Sequence, residues 1–218
     1  MTIEALAQAA MALVPAEGRA ILGIGGTPGA GKTTLAEAIV REVARARGPA
    51  WVAHVPMDGF HLADVQLARV DALSRKGAPD TFDAEGYAHL LERIRTDDAS
   101  WIYAPGFDRD LEQPLAAAMV VPPAARLVVS EGNYLLLDVG AWPRARAAVD
   151  EVWFVTGDER VRLERLVQRH VDFGKAEHDA RTWVEGTDEP NARLVGASSA
   201  RADRHVRNAP DGWAFTDE

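Results

Sequence analysis

Residues Gly26 to Thr33 read GTPGAGKT, and no other stretch of this 218-residue chain restricts its fold as strongly. The segment follows a short apolar run, AILGIGG at 20–26, and opens KTTLAEAIVREVARAR at 32–47, whose apolar residues recur at helical spacing. Strand, glycine-rich loop and helix in that order make an anion cradle. Gly26, Gly29 and Gly31 let backbone N–H groups converge on phosphate oxygens with no Cβ in the way, and the helix N-terminus adds partial positive charge. The nucleotide-binding stretch is therefore expected at Gly26, Thr27, Pro28, Gly29, Ala30, Gly31, Lys32, Thr33 and Thr34. Lys32 should reach the terminal phosphates of ATP, and Thr33 should hold Mg²⁺ through its hydroxyl. The alternative is an ordinary glycine-rich turn; the full motif in its required context favours the nucleotide.

The rest of the chain alternates in the same way. GP at 48–49 stops the first long helix, and AWVAHVPM at 50–57 reads as a second strand. Residues 63–75 and 83–95 read as helices, the second with Asp83 as N-cap. Strands are expected at 125–132 and 149–157, then a charged helix at 158–171 capped by Asp158. Further helices are expected within 177–186 and 191–204, and a last strand at 212–216. The pattern predicts an α/β chain with a mostly parallel sheet covered on both faces. Such sheets bind ligands beyond the carboxyl ends of their strands, so Gly26, Asp58, Glu131 and Gly157 are expected along one rim.

Composition excludes several classes. There is no cysteine, so no disulfide and no thiolate metal site, which fits a cytoplasmic protein. A formal charge of −9 argues against nonspecific binding to nucleic acid or an anionic membrane. No run approaches the ~18 apolar residues of a membrane span. The N-terminal stretch MTIEALAQAAMALVP has helical spacing and lacks the basic start of a signal peptide. Only Lys32, Lys76 and Lys175 are lysines among 24 basic residues, so each merits a specific reason. The six histidines show no zinc spacing, and only His61 falls beside a candidate site.

Asp58 ends the apolar run after the first long helix. On the rim beside the cradle it could take the proton of an acceptor hydroxyl; the alternative is a turn acid with Gly59 supplying the bend. Glu131 ends RLVVSE where an acid would face the Mg²⁺ region, as a metal ligand or as the partner of a substrate hydroxyl. Arg162, Arg165 and Arg169 share a helix face, which suits either solvent or a lid over phosphate.

The segments GTPGAGKTT, PMDGFHL, KGAPDTFD, YAPGFDRDLEQP, VVSEGNYLLL and RLVQRHVDFGK, in this order, resemble the P-loop kinases of the phosphoribulokinase, uridine kinase and pantothenate kinase group. The branch called nucleoside/nucleotide kinase or fructose transport system kinase is the most similar. The resemblance runs from about residue 20 to 207. It implies a single three-layer α/β/α domain over 1–218 with a lid at 158–180, and the helical spacing of residues 1–18 predicts a helix packed on that domain. It makes Asp58 the general base and Lys32, Arg165 and Arg169 catalytic. It makes His61, Lys76, Phe82, Asp83, Tyr103, Phe107, Arg109, Glu131 and Asn191 substrate-side residues, and Thr33 and Glu131 the metal ligands. RHVDFGK departs from the group's usual lid ending, which ranks Arg165 and Arg169 above Lys175. Alone, Arg109 between Asp108 and Asp110 would be a solvated ion pair, and Asn191 after Pro190 a turn residue.

The implied activity is ATP-dependent transfer to a small hydroxyl substrate. The hydroxyl-seeking set Asp58, Asp83, Asp188 and Asn191 favours a neutral sugar or polyol. A nucleoside or pantothenate kinase is the nearest alternative, and a regulatory NTPase with no small substrate is the alternative of another class. The chain has no N-K-x-D or T-K-x-D base-reading motif for a guanine-nucleotide switch. A homodimer is compatible with the group, although no exposed apolar stripe demands one.

Overall fold

The computed structural model of the chain describes residues 2–210 and 212–216. In chain order the elements are α1 (Ile3–Ala12), β1 (Ala20–Gly26), α2 (Lys32–Arg47), β2 (Val52–Pro56), α3 (Asp64–Arg69), α4 (Ala84–Thr96), β3 (Ile102–Asp108) and β4 (Gln113–Val121). They continue with β5 (Leu127–Glu131), α5 (Trp142–Ala147), β6 (Glu151–Gly157), α6 (Glu159–Asp172), α7 (Glu177–Trp183), α8 (Glu189–Ala197), β7 (Arg204–Ala209) and β8 (Gly212–Phe215).

Six strands form one sheet in the order β2-β5-β1-β6-β7-β8, parallel except for β8. Strands β1 and β5 are buried along their whole length, as expected of strands covered on both faces. Side-chain alternation divides their apolar residues between two cores. Ile21, Val128 and Val152 pack with Tyr87 and Leu91 of α4 and Trp142 of α5. Leu22, Val129 and Trp153 pack on the other face with Leu6 of α1 and Leu35 and Ile39 of α2. The sheet is thus a middle layer between helices, the α/β/α arrangement the sequence implies. Among the described residues no helix is long and apolar enough to cross a membrane.

Both expected N-caps are present: Asp83 accepts from the Gly86 N–H at 2.8 Å and Asp158 from the Val161 N–H at 3.0 Å. Elsewhere the expected elements are cut differently. The helix expected over 63–75 ends at Arg69, because Asp71 takes a left-handed φ of 52° and the Leu67 carbonyl accepts from both Val70 and Ala72. The helix expected over 191–204 ends at Ala197, and Arg204 belongs to β7, paired with Trp153. Between α7 and α8 the chain stays helical through a π turn, Val184–Asp188. The β3–β4 hairpin was not foreseen; the sequence offered its first strand only as a substrate-side segment.

That hairpin sits on the turn that carries Asp58. Its contact needs Gly59, where a Cβ would stand 2.2 Å from the Pro105 carbonyl oxygen. Gly59→Ala is therefore expected to push β3 away, with a loss of about 1–3 kcal/mol. Chemical denaturation measures the loss; unchanged stability would mean that the hairpin does not rest on this turn.

Candidate active site

The loop between β1 and α2 is shaped by what lies behind it. Gly29 has a φ of +79°, and a Cβ there would meet Leu166 at 2.8 Å and the Arg162 carbonyl at 2.9 Å. The loop therefore lies flat on α6. Arg162, 4% exposed, fastens the contact: its Nη1 donates to the Pro28 carbonyl at 3.1 Å, and its guanidinium pairs with Glu159 and Glu189. One side chain thus ties the loop to α6 and α8.

Lys32 is buried and donates to the Thr27 carbonyl at 3.1 Å. The Thr33 hydroxyl donates to Glu131 Oε1 at 3.0 Å, which joins the start of α2 to the end of β5. Asp58 stands in the 3-10 turn Met57–Phe60 just after β2. Its Oδ2 accepts from Arg109 Nη2 at 2.5 Å, so Arg109 reaches across to Asp58 and the local ion pair with its sequence neighbours is replaced. The His61 Nδ1 contacts the Asp58 carbonyl at 2.8 Å. The His61 ring lies 4.0 Å from that of Phe82 and 4.8 Å from that of Phe107.

A cavity of about 350 Å³ opens where these residues meet. Pro28, Gly29, Lys32 and Thr33 form one side; Asp58, His61, Lys76, Phe82, Phe107 and Arg109 form another. Glu131, Arg169 and Asn191 also reach it. Asn191 Nδ2 donates to the Gly77 carbonyl at 3.4 Å, which also accepts from the Tyr134 hydroxyl, so Asn191 holds the loop that carries Lys76.

Three expected site residues lie elsewhere. Asp83 turns its carboxylate to Gly86 as the cap of α4. Tyr103 is 60% exposed near the start of β3, and Phe107, four residues further along the strand, reaches the cavity instead. Arg165 is exposed, because seven residues bring Arg162 and Arg169 back to one helix face while three leave Arg165 about 60° off it. Lys175, ranked lower from the sequence, lines the cavity with its Nζ 4.7 Å from the Trp183 ring. Asp64, His170 and Asp188 line it too. The sequence carried no local signal for Asp64 or for the contact of His170 with Asp188, which spans 18 positions at 2.8 Å.

The charges in this space are strongly perturbed. Burial pushes the Lys32 ammonium down to about 8, against the pull of Glu131 and Asp58. Burial and the neighbouring Asp58 push Glu131 up to about 7. Burial would raise Asp58 as well, but His61, Arg109, Lys32 and Arg169 outweigh it and hold Asp58 below the ordinary range. Of the two carboxylates, Glu131 keeps a proton longer and Asp58 stays ionised. The donors suit Mg²⁺: a hydroxyl and a carboxylate suffice for an ion that retains waters and takes phosphate oxygens.

No protein-family model matches the chain. It is 35% identical over 159 residues to the ATP-dependent kinase-like protein notR' of Aspergillus versicolor, covering 70% of this chain and 88% of that protein. It is 31% identical over 211 residues to the uncharacterized protein YggC of Escherichia coli, covering 95% and 86% of the two. The chain belongs to the P-loop kinases. A crystal structure from Silicibacter sp. TM1040, provisionally described as a fructose transport system kinase, superposes on this kinase with a TM-score of 0.84. The two are 34% identical, over 94% of this chain and 98% of the other. This kinase is accordingly a phosphotransferase with an alcohol group as acceptor.

Glu131 generates a pH prediction. A carboxyl raised from 4.5 to about 7 binds more protons folded than unfolded between those values, so it costs stability as pH rises through that window. In the nucleotide-free protein, Glu131→Gln should raise stability at pH 8 by up to about 3 kcal/mol and have little effect at pH 4.5. Melting curves across pH check this; an equal effect at both ends would place the ordinary carboxyl pKa on Glu131.

Proposed function

We propose that this kinase transfers the γ-phosphoryl group of ATP to a hydroxyl of a small sugar or polyol, fructose-like in size, with Asp58 as the base. One observation carries the reading. Asp58 is an ionised carboxylate in the same cavity as Lys32 and the Thr33–Glu131 pair, across from the phosphate loop. The name given to the Silicibacter protein supports a sugar-sized acceptor.

Residues 26–34 cradle the phosphates, with Lys32 and Arg169 opposing the charge that develops on the transferring group. Thr33 and Glu131 would hold Mg²⁺, which would supply charge neutralisation at the phosphates. Arg109 occupies Asp58 Oδ2, which leaves Oδ1 to accept the hydroxyl proton. His61, Phe82 and Phe107 wall the acceptor, while Asn191 and Tyr134 position the Lys76 loop through the Gly77 carbonyl. Residues 158–180 form a lid whose closure excludes water, with Arg169 and Lys175 on its inner side and Trp183 lining the cavity just beyond it.

Mg²⁺-dependent ADP release is measured with ATP against sugars, polyols, nucleosides and pantothenate, for the wild type and Asp58→Asn. One acceptor should raise turnover, EDTA should abolish the rise, and Asp58→Asn should lower it by ~10²–10⁴-fold with ATP binding retained. An Asp58→Asn variant that phosphorylates the acceptor at the wild-type rate would remove Asp58 from the base role.

A further inference from the structure

The cavity carries many charges, and on the acceptor side three of its carboxylates already have a nitrogen partner. Asp58 meets Arg109 at 2.5 Å, Asp64 meets Lys76 at 2.6 Å, and Asp188 meets His170 at 2.8 Å. All six residues line the cavity. Lys76 is the most fully engaged. Its Nζ also donates to the Glu112 carbonyl at 2.5 Å and lies 5.7 Å from the centre of the Phe107 ring. Its side chain is 15% exposed. Asp64 is fixed in turn, since its backbone N–H donates to the Gln113 side chain at 3.1 Å. Helix α3, the loop at 76 and the tip of the β3–β4 hairpin therefore meet at one ion pair that the phosphoryl-transfer machinery does not use. The other cations of the cavity, Lys32, Arg169 and Lys175, belong to the phosphate loop and the lid.

Resting on the kinase reading above, we infer that the acceptor is an uncharged polyhydroxyl compound, and that the Asp64–Lys76 pair selects against acceptors carrying a carboxylate or phosphate. An anionic group at Lys76 must share an ammonium that Asp64 already neutralises, and it meets the Asp64 carboxylate as a like charge beside it. A hydroxyl brings no such charge. It accepts from an N–H and donates to a carboxylate at the same pair, so neighbouring hydroxyls use the pairs intact. The His61 ring, 4.0 Å from that of Phe82 and 4.8 Å from that of Phe107, joins them in a wall that can meet the C–H side of a sugar ring or polyol chain.

The test uses matched probes: glycerol and glycerate, D-ribose and ribose 5-phosphate, D-fructose and fructose 6-phosphate. Binding is measured by calorimetry on the full chain saturated with Mg²⁺ and a non-hydrolysable ATP analogue, and acceptor-dependent ADP release is measured alongside with ATP. The wild type should favour the neutral member of each pair it takes. Asp64→Asn, which keeps shape and leaves the Lys76 charge facing the cavity, should move the ratio toward the anionic member about fivefold. Lys76→Met should move it the opposite way. Inorganic phosphate is titrated into all three analogue-saturated proteins, and Asp64→Asn should bind it about fivefold more tightly than the wild type. Melting curves establish that both variants are folded. A wild type that prefers the anionic members, or an Asp64→Asn protein whose affinity for phosphate equals that of the wild type, overturns the inference. If no probe raises ADP release, the result counts against the acceptor reading, and the phosphate titration still decides the role of the pair.

Discussion

Everything in the site depends on keeping one lysine and two carboxylates out of bulk water at the ends of three neighbouring parallel strands. The order β2-β5-β1 brings Asp58, Glu131 and the phosphate loop side by side, although they lie far apart in the chain. Shared burial makes the three groups respond to one another. Glu131 holds its proton more tightly because it is buried and because Asp58 beside it is charged, and Lys32 loses its proton more readily because it is buried. The site's arrangement is set by packing around it, through the two apolar cores and the glycines that admit close backbone contact.

Arginine does two different jobs in this kinase, and burial separates them. Arg162 is fully enclosed and bonded to Glu159, Glu189 and the Pro28 carbonyl, so it is a structural rivet behind the phosphate loop. Arg169, two turns later on the same face of α6, reaches the open cavity. The cavity wall then passes to Lys175 and Trp183, while the π turn before α8 places Asp188 against His170. Helix α6 is thus held at both ends, by Arg162 under the phosphate loop and by His170 against Asp188.

Much of this was legible in the sequence where the signal was local. The loop at 26–33, the caps Asp83 and Asp158, the main buried strands and the position of Asp58 after a strand each follow from spacing of a few residues. What failed was longer in range or depended on orientation. The hairpin β3–β4 was hidden because nothing in YAPGFDRDLEQP marks it as pairing with a strand whose middle residues are exposed. Tyr103 stands exposed at the far end of β3 from the cavity, and Arg165 lies about 60° off the Arg162–Arg169 face, an angle beyond what a shared-face argument resolves.

The sequence by itself determined that this chain binds nucleotide phosphate, because the glycines, Lys32 and Thr33 form their cradle from eight consecutive residues. It also determined the alternation of strand and helix that forces a parallel sheet, and with it a rim on which ligands gather. Only the tertiary structure decided which charges face one another. Arg109 joins Asp58 across 51 positions, Lys76 joins Asp64 beneath the hairpin tip, and Thr33 joins Glu131 across 98. The reason is physical: a phosphate loop is read through its own backbone, whereas an ion pair is made by side chains that the fold alone brings within 3 Å.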